Sequence, residues 1–357
     1  MARSHLTLAA LATSAVAGLD VSGTRSYSYG SQGDYDAALL SGRDGRELII
    51  RVPTSQAAET EQSADLVALR ALTAGVRARL PFDVPEFVGQ APVGSTRAVV
   101  YNFLPGAKVN VEDIPAGDGL AASIGRAIAA IHSLPTGFVG EAGLPVLSAS
   151  DCHASAVELI DSAASTGLLP AALRDRWREV TGDDRVWRFQ PAVINGAMTA
   201  DSLLIDNEAV VAVLGWSALR VGDPARDLHW LLGMAGDAAE SALEAYALAR
   251  QVTTDRQFTR RAMLYAELEI ARWLLHGRQL HDQAIIDDAV GMLDGLVDRV
   301  HSSSTAPLSQ ETGPIMAITD VEAMLSSTPL DRDDDFAVGL GPVEDEPEGS
   351  RPSSDDD

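Results

Sequence analysis

Four aspartates lie close together in the second half of the chain, and carboxylates of this kind can move protons or hold metal ions. Asp201 and Asp206 flank a short apolar run, and Asp223 and Asp227 follow in the next segment. A carboxylate beside a hydroxyl can act as a general base, and grouped carboxylates can hold Mg²⁺. Each also has a structural interpretation. Asp206 falls in a predicted hairpin turn, and Asp201 is typical of a loop or helix cap. For Asp223 and Asp227 we favour helix N-capping and loop bracing, and Asp223 precedes Pro224 as an N-cap does.

Other residue types offer less chemistry. Cys152 is the only cysteine, which excludes an internal disulfide and a metal site built from cysteines. Its neighbour His153 suggests a nucleophile pair, but adjacent residues on a helix do not face each other. His276 and His281 lack the spacing of metal ligands. Lys108 is the only lysine beside 26 arginines, so no mechanism that needs a lysine elsewhere is available.

The elements that position these residues form two groups. The first is β-rich: residues 20–53 predict strands and turns, and residues 84–88 and 98–103 predict two more strands. One helix is predicted over residues 57–79 from its apolar period. The sequence Leu-Pro-Gly at 104–106 then interrupts the pattern.

The second group is mainly helical, with short strands at its centre. Helices are predicted over residues 121–133, 154–164 and 171–179, and again from Pro224 to about residue 301. Between them, residues 192–194, 203–205 and 210–216 predict strands, with a turn at 206–208.

The N-terminal residues allow two interpretations. An apolar run over residues 6–19 follows Arg3 and His5 and ends near a sequence that imitates a signal-peptidase site. We favour an ordinary helix, because a strand pattern follows directly without a linker. No run approaches the ~20 apolar residues of a membrane span.

The charge of the chain is strongly negative and uneven. The formal net charge is −24, and residues 331–357 carry 11 acidic and 2 basic side chains, a net charge of −9. No broad basic surface can form, which argues against nucleic-acid binding. The Ser-, Pro- and acid-rich segment 302–357 predicts a disordered tail. Its apolar stretch at 315–325 is a candidate for docking a protein partner.

Three motifs in order resemble the aminoglycoside/macrolide phosphotransferase family. Residues 99–106, Val-Val-Tyr-Asn-Phe-Leu-Pro-Gly, resemble its interlobe hinge. Residues 128–135 look like its helix ending in Leu-His-x-Leu-Pro, with Ile131 in place of the leucine. Residues 221–228 are similar to its Gly-Asp-Pro-x-x-Asp-Leu signature. The resemblance covers about residues 6–300 and implies a bilobal kinase-like fold, with Asp223 supporting the catalytic loop.

The chemistry that the resemblance implies is phosphoryl transfer to a hydroxyl of a small molecule, and its catalytic loop is altered here. The family loop reads His-Gly-Asp, four residues, then Asn. In this chain Asn195 replaces the histidine, Ala197 the catalytic aspartate and Ser202 the metal-binding asparagine. A methyl group accepts no proton. Asp201, four residues past Ala197, is the candidate carboxylate that could compensate.

The remaining positions of the family site are also altered. The second metal carboxylate falls at Gly215, and the phosphate-binding lysine falls at Arg51, whose planar guanidinium is not equivalent. The helix glutamate that pairs with this lysine falls at Asp65. The predicted nucleotide base site is the backbone of the hinge at Tyr101, Asn102 and Phe103.

These observations predict an α+β, bilobal, protein-kinase-like fold: a small β-rich N-lobe (1–104), a larger helical C-lobe with a central β-hairpin (105–301), and a disordered acidic tail (302–357). We expect a cytoplasmic pseudokinase of this family with impaired catalysis, which binds a ligand or a partner. ATP or GTP is the expected cofactor, and the sequence disfavours Mg²⁺. Two alternatives stay open: an active ATP- or GTP-dependent small-molecule O-phosphotransferase with a rearranged site, and an interaction scaffold without nucleotide.

Overall fold

The N-lobe is an antiparallel five-stranded sheet with helices on both faces. The structure, a computed structural model, describes residues 3–27, 34–250 and 257–305. The strands stand in the order β1-β2-β3-β5-β4 and comprise β1 (Val21–Ser26), β2 (Tyr35–Gly42), β3 (Glu47–Pro53), β4 (Phe87–Val93) and β5 (Thr96–Asn102).

Alternation along β3 divides this lobe into two faces. Leu48, Ile50 and Val52 lie in the core beneath α1 (His5–Ala15), whose Leu8 is buried against the same face. Ile49 and Arg51 point the other way, because successive side chains of a strand alternate. That second face is covered by α2 (Gln56–Ala71) and the short α3 (Ala74–Arg77).

The C-lobe is built from seven helices within the described residues. They are α4 (Leu120–His132), α5 (Gly137–Glu141), α6 (Ala149–Ser165), α7 (Ala171–Thr181), α8 (Ala238–Arg250), α9 (Phe258–Leu280) and α10 (Gln283–Thr305). Helices α4 and α8 pack closely, since a Cβ at Gly125 would lie 2.0 Å from the Ala242 carbonyl oxygen. Short 3-10 helices follow the hinge and lie between β9 and α8.

Two small antiparallel sheets stand between α7 and α8. Strand β6 (Ala192–Ile194) pairs with β9 (Arg220–Gly222), and β7 (Leu203–Asp206) pairs with β8 (Ala209–Val213). The β7–β8 turn has positive φ at Asn207 (48°) and Glu208 (60°), as a tight hairpin turn requires. The predicted central hairpin is confirmed.

Several predicted bounds are wrong in informative ways. The strand predicted at 84–88 begins only at Phe87, since Pro85 has no N–H to donate. The helix predicted over 57–79 ends at Ala71 and resumes as α3. The strand predicted over 210–216 stops at Val213. Within residues 20–53, predicted as strands and turns, β1 ends at Ser26, and residues 28–33 lie outside the described residues.

The predicted N-terminal helix is confirmed as α1, and the mixed α+β kinase-like architecture is confirmed for the described residues. Helix α10 continues to Thr305, beyond the predicted end of the C-lobe at 301. The rest of the predicted tail lies outside the described residues. Within those residues, no helix is both long and apolar enough to cross a membrane.

Candidate functional site

The loop 195–202 between β6 and β7 is held by a buried carboxylate. Asp227 Oδ2 accepts the backbone N–H of Asn195 at 2.6 Å, and its Oδ1 accepts that of Gly196 at 2.7 Å. Gly196 has φ +86°, and a Cβ there would lie 2.4 Å from the Ala218 carbonyl oxygen. Only glycine fits this position, so the loop backbone is tightly constrained.

The same carboxylate contacts His132, the buried histidine of the motif at residues 128–135. Its Nε2 lies 3.3 Å from Asp227 Oδ2, and its Nδ1 lies 2.9 Å from the Tyr246 hydroxyl. In an active family member the first signature aspartate, at the position of Asp223, supports the catalytic loop, whereas in this chain Asp227 makes those contacts. Asp223 instead caps the following 3-10 helix and forms a buried ion pair with Arg261, 2.6 Å long.

Within loop 195–202, the position of the family's catalytic carboxylate is a bare methyl group. Ala197 is exposed. Ser202, at the family's metal-binding asparagine position, is buried, and its hydroxyl accepts the Thr199 backbone N–H at 3.2 Å. Ser202 therefore closes a capping box on the 3-10 turn at the end of this loop.

Asn195 connects the loop to the segment that follows β8. Its Nδ2 donates to the Gly215 carbonyl oxygen at 2.9 Å, and its Oδ1 accepts the Ala197 backbone N–H at 3.2 Å. The structure therefore brings Asn195, Ala197 and Gly215 together, 20 residues apart in the chain at their widest. The amide contributes position and does not act as a general acid or base near neutral pH.

Gly215 lies in the left-handed region, with φ +66°, and is exposed. A Cβ built there meets no atom within 4 Å, so the space beside it is open. The next residue, Trp216, is buried, and its backbone N–H donates to Asp65 Oδ1 at 2.7 Å. This bond ties α2 of the N-lobe to the C-lobe.

Asp65 thus binds a backbone amide, whereas the family's helix acid pairs with a cation. Burial raises the pKa of Asp65 to about 6, although the Trp216 amide and the Arg51 charge act in the opposite direction. Arg51 makes no ion pair with any carboxylate of the described residues. Asp65 and Arg51 therefore do not form the direct ion pair that the resemblance implies for their positions.

The Arg51 guanidinium stacks on the ring of Tyr35, with Cζ 3.8 Å from the ring centroid. Its Nε is buried and has no hydrogen-bond partner in the part of the chain that the structure describes. A guanidinium stays protonated, so this is a charged donor without an acceptor. Such a group is unfavourable unless an anion or water binds it.

The hinge residues use much of their backbone inside the N-lobe. The Asn102 amide donates to the Glu86 carbonyl oxygen at 3.1 Å, and the Phe103 amide donates to that of Glu47 at 3.0 Å. Neither N–H is available for a nucleotide base. The Tyr101 side chain is buried on the same face as Arg51, and its hydroxyl lacks a partner among the described residues.

Asp201 already has a partner, which sequence reasoning missed. Lys108 Nζ donates to the Asp201 carbonyl oxygen and lies 3.7 Å from its Oδ1. Lys108 follows the hinge by two residues, 93 positions from Asp201. The available signal in the sequence was that Lys108 is the only lysine of the chain and lies next to the hinge motif. Tyr35 was also missed, because a stacking partner carries no motif.

The other candidate chemistry does not come together. Burial raises the pKa of the Cys152 thiol to about 11, and His153 stacks on Trp187 with ring centroids 4.9 Å apart. In the ranges that the structure describes, no three His, Cys, Asp or Glu side chains form a group that could hold a metal ion.

Solved structures with this fold include antibiotic phosphotransferases. The apoenzyme of macrolide 2'-phosphotransferase MphH from Brachybacterium faecium is 22% identical, with a TM-score of 0.66 over 80% of this chain and 97% of that one. The GDP complex of aminoglycoside 2'-phosphotransferase-IIIa is 17% identical, with a TM-score of 0.67 over 84% of this chain and 100% of that one. At these identities the likeness concerns the fold.

Sequence comparison also identifies a related protein and a matching family profile. The uncharacterized protein YcbJ of Bacillus subtilis (strain 168) is 24% identical over 200 residues, which span 54% of this chain and 65% of that protein. The sequence profile of the phosphotransferase enzyme family matches residues 32–297. This range contains the hinge, Arg51, loop 195–202 and the Asp223–Asp227 signature. The chain therefore belongs to the phosphotransferase enzyme family.

Proposed function

We propose that this chain is a catalytically impaired family member that binds a nucleotide, ATP or GTP, without a metal ion. The observation that carries the proposal is the Arg51 guanidinium, a charged donor with a buried and unpartnered Nε. It lies on the same sheet face as Tyr101, whose buried hydroxyl also lacks an acceptor among the described residues. A phosphate group would satisfy such donors, since phosphate oxygens accept strong charge-assisted hydrogen bonds.

Impaired transfer follows from what stands at the reacting positions. Ala197 offers no group to accept a proton from an acceptor hydroxyl, and removal of a positioned acid–base group typically slows a reaction about 10²–10⁴-fold. Asn195 holds the loop through its amide and cannot take over the proton transfer at neutral pH. The backbone geometry around Ala197 is nevertheless maintained by Asp227.

Weak use of Mg²⁺ follows from the placement of the nearby carboxylates. Gly215 has no side chain, and the Ser202 hydroxyl is bound within its own loop. Asp65 accepts the Trp216 amide, and Asp201 lies beside Lys108. Mg²⁺ prefers octahedral oxygen ligands, usually with one or two carboxylates, and these four positions do not bring two carboxylates together within the described residues.

The nucleotide base is expected at the hinge, in a manner corrected by the structure. Because the Asn102 and Phe103 amides are used within the sheet, recognition has to rely on carbonyl oxygens or on the next amide, that of Leu104. Related structures have been solved with GDP and with ADP, so both purines are bound within this fold. The small-molecule acceptor, a protein partner of the acidic tail and the cytoplasmic location remain predictions.

The test is calorimetry and thermal shift on the full chain with ATP and with GTP, each in Mg²⁺ and in EDTA. We expect one nucleotide to bind with equal affinity in both buffers. Arg51→Gln should weaken that binding about tenfold or more, as expected for the loss of a charged hydrogen bond of about 1.5–3 kcal/mol. Arg46→Gln is the matched control, an exposed N-lobe arginine paired with Asp44.

Radiolabel transfer from ATP and GTP to a panel of aminoglycosides and macrolides separates the alternatives. Background transfer together with metal-independent binding supports the proposal. Robust Mg²⁺-dependent transfer would establish the active enzyme with a rearranged site. Absence of nucleotide binding in either buffer would favour the interaction scaffold.

A further inference from the structure

The only lysine of the chain is held at the cleft between the lobes by the backbone around it. Gly106 approaches β7 so closely that a Cβ there would lie 2.8 Å from Leu204 Cβ. Ala107 exchanges backbone hydrogen bonds of 2.9 Å with Ile205 in both directions. The backbone of Lys108 is therefore held beside the β7–β8 hairpin, which follows loop 195–202. The Lys108 side chain itself has four rotatable bonds.

The lysine side chain reaches the end of loop 195–202. Its Nζ contacts the Asp201 backbone carbonyl oxygen and lies 3.7 Å from the carboxylate, a separation beyond an ordinary hydrogen bond. The Asp201 side chain is 60% exposed, whereas that of Lys108 is 33% exposed. Lys108 is thus held at the end of loop 195–202 by the backbone and the charge of Asp201, in an ion pair whose acidic partner is open to solvent.

A second cation, Arg51, lies on the N-lobe face that meets the same loop: Asp65, on which the Arg51 charge acts, accepts the Trp216 amide, and the adjacent Gly215 is bonded to Asn195 of loop 195–202. Burial lowers the pKa of Lys108, Asp201 raises it, and the positive charge of Arg51 lowers it further. Ala197, Ser202 and Gly215, at the family's acid and metal-ligand positions, carry no carboxylate. An anion bound between the two cations would reduce their repulsion. It would also accept the hydrogen bond that Arg51 Nε does not make.

We propose that Lys108 is a second phosphate-binding residue, which together with Arg51 neutralises the phosphates of a metal-free nucleoside di- or triphosphate. The inference rests on the proposed function. In it, the Lys108 ammonium group supplies positive charge that a divalent metal ion would otherwise place beside the phosphates. An ammonium group suits this role because it is compact, carries three donors and can turn from Asp201 toward the ligand.

The experiment is calorimetry of the full chain in EDTA with ATP and GTP, and with adenosine and guanosine as probes that lack phosphate. For the nucleotide that binds, Lys108→Gln should lose about tenfold to a hundredfold in affinity, as expected when a charged hydrogen bond is removed. Affinity for the matching nucleoside should stay unchanged. Arg174→Gln, on α7 and paired with Asp175, is the control for the loss of one positive charge.

A variant of opposite sign guards against a fold defect in Lys108→Gln. Asp201→Asn keeps the backbone carbonyl oxygen and removes the competing carboxylate, so nucleotide affinity should rise about two- to fivefold, the size of an exposed pair. The gain should vanish in the Lys108→Gln background. A gain that persists there would overturn the role of Lys108.

The remaining outcomes distinguish the two proposals. Parent and Lys108→Gln binding ATP or GTP equally would overturn the inference and leave the proposed function standing, as would an equal loss for nucleotide and nucleoside. A parent chain that binds neither nucleotide in EDTA would overturn the proposed function and the inference with it.

Discussion

Asp65 and Arg51 illustrate how single substitutions redistribute the contacts of one site. The carboxylate of Asp65 reaches the Trp216 amide at 2.7 Å, and Arg51 turns to the ring of Tyr35. Each residue keeps the charge sign expected at its position, but the pair no longer neutralises itself. The guanidinium is thereby left for an anionic ligand, while the carboxylate connects the lobes.

The raised pKa of Asp65 predicts a pH-dependent stability. The folded chain holds the proton with a pKa of about 6, above the ordinary value of 3.8. The stabilising effect of this proton is therefore complete below pH 3.8 and is lost as pH rises through 6. Asp65→Asn keeps an oxygen for the Trp216 amide and does not titrate. Relative to this variant, the parent should lose free energy of unfolding between pH 4 and pH 7 in chemical denaturation.

Glu59→Gln on the same helix serves as the control, because Glu59 lies in the first turn of α2 and is only partly buried. A difference between parent and Asp65→Asn that stays constant from pH 4 to pH 7 would contradict the assignment of this titration to Asp65.

Restoration of the two missing carboxylates is a second prediction at the residue scale. In the double variant Ala197→Asp, Gly215→Asp, Mg²⁺ should raise nucleotide affinity about tenfold, equivalent to about 1.4 kcal/mol. Ala197 is exposed, and the space beside Gly215 is open, so both carboxylates fit. The left-handed backbone at Gly215 costs about 1–2 kcal/mol, and aspartate tolerates it better than most residues.

The double variant Ala197→Asn, Gly215→Asn carries the same shape without charge and should show no response to Mg²⁺. Neither single aspartate should suffice, because base and metal act as one unit. Identical nucleotide affinity of the folded aspartate variant in Mg²⁺ and in EDTA would count against these two positions.

At the scale of elements, the N-lobe sheet is the support of the cation site, and its outer face depends on α1. A Cβ at Gly89 of β4 would lie 2.2 Å from the Ala15 carbonyl oxygen, at the end of α1. The helix can approach so closely only because this strand position has no side chain. Displacement of α1 would uncover the apolar face formed by Leu48, Ile50 and Val52.

Gly89→Ala should therefore lower the free energy of unfolding by about 1–3 kcal/mol, as expected for overpacking. Gly23→Ala is the matched control, another strand glycine of the same sheet whose Cβ would meet nothing nearer than 3.8 Å. Urea denaturation of both variants checks the prediction. Equal stabilities would indicate that α1 moves without loss of packing.

In the whole molecule, the two lobes are joined by a shared hydrophobic cluster and by hydrogen bonds between them. Besides the Asp65–Trp216 bond, the segment before β4 pairs with β8, where the Asp83 amide donates to the Val211 carbonyl oxygen at 2.9 Å. Helix α10 is the last helix of the C-lobe in the described residues, and its Leu293 and Leu296 are buried in a hydrophobic cluster with residues of α6, α7 and α9. Residues 306–357 lie beyond the described structure and carry the most acidic segment.

We expect a chain truncated after Thr305 to melt within about 2 °C of the full chain, a difference below about 1 kcal/mol. The composition of the removed segment cannot bury enough apolar surface to offset the entropy of ordering it. A chain truncated after Gly291 lacks Leu293 and Leu296 and should melt clearly lower. Differential scanning calorimetry of the three chains would reveal a stabilising role of residues 306–357 as a drop on the first truncation.

Local patterns were sufficient to predict the succession of elements and the positions of the altered residues. The apolar periods of α1 and α4, the β7–β8 turn and the Asp223–Pro224 cap all depend on neighbours within a few residues. The motifs likewise located Ala197 and Gly215, because their spacing is a property of the chain. The predicted bounds of strands and helices were less accurate where a proline intervened, as before β4, or where a turn carried no strong sequence signature.

The partners of the charged groups depend on tertiary structure, because they join elements far apart in the chain. Asp65 and Trp216 are separated by 151 residues, and Lys108 and Asp201 by 93. Hydrogen bonds act over about 3 Å, so the approach of α2 to the C-lobe and of the hinge to β7 decides which groups meet. For this reason the sequence singled out Arg51 and Asp65 as candidates, yet only the packed lobes give them separate partners and bring Lys108 to Asp201.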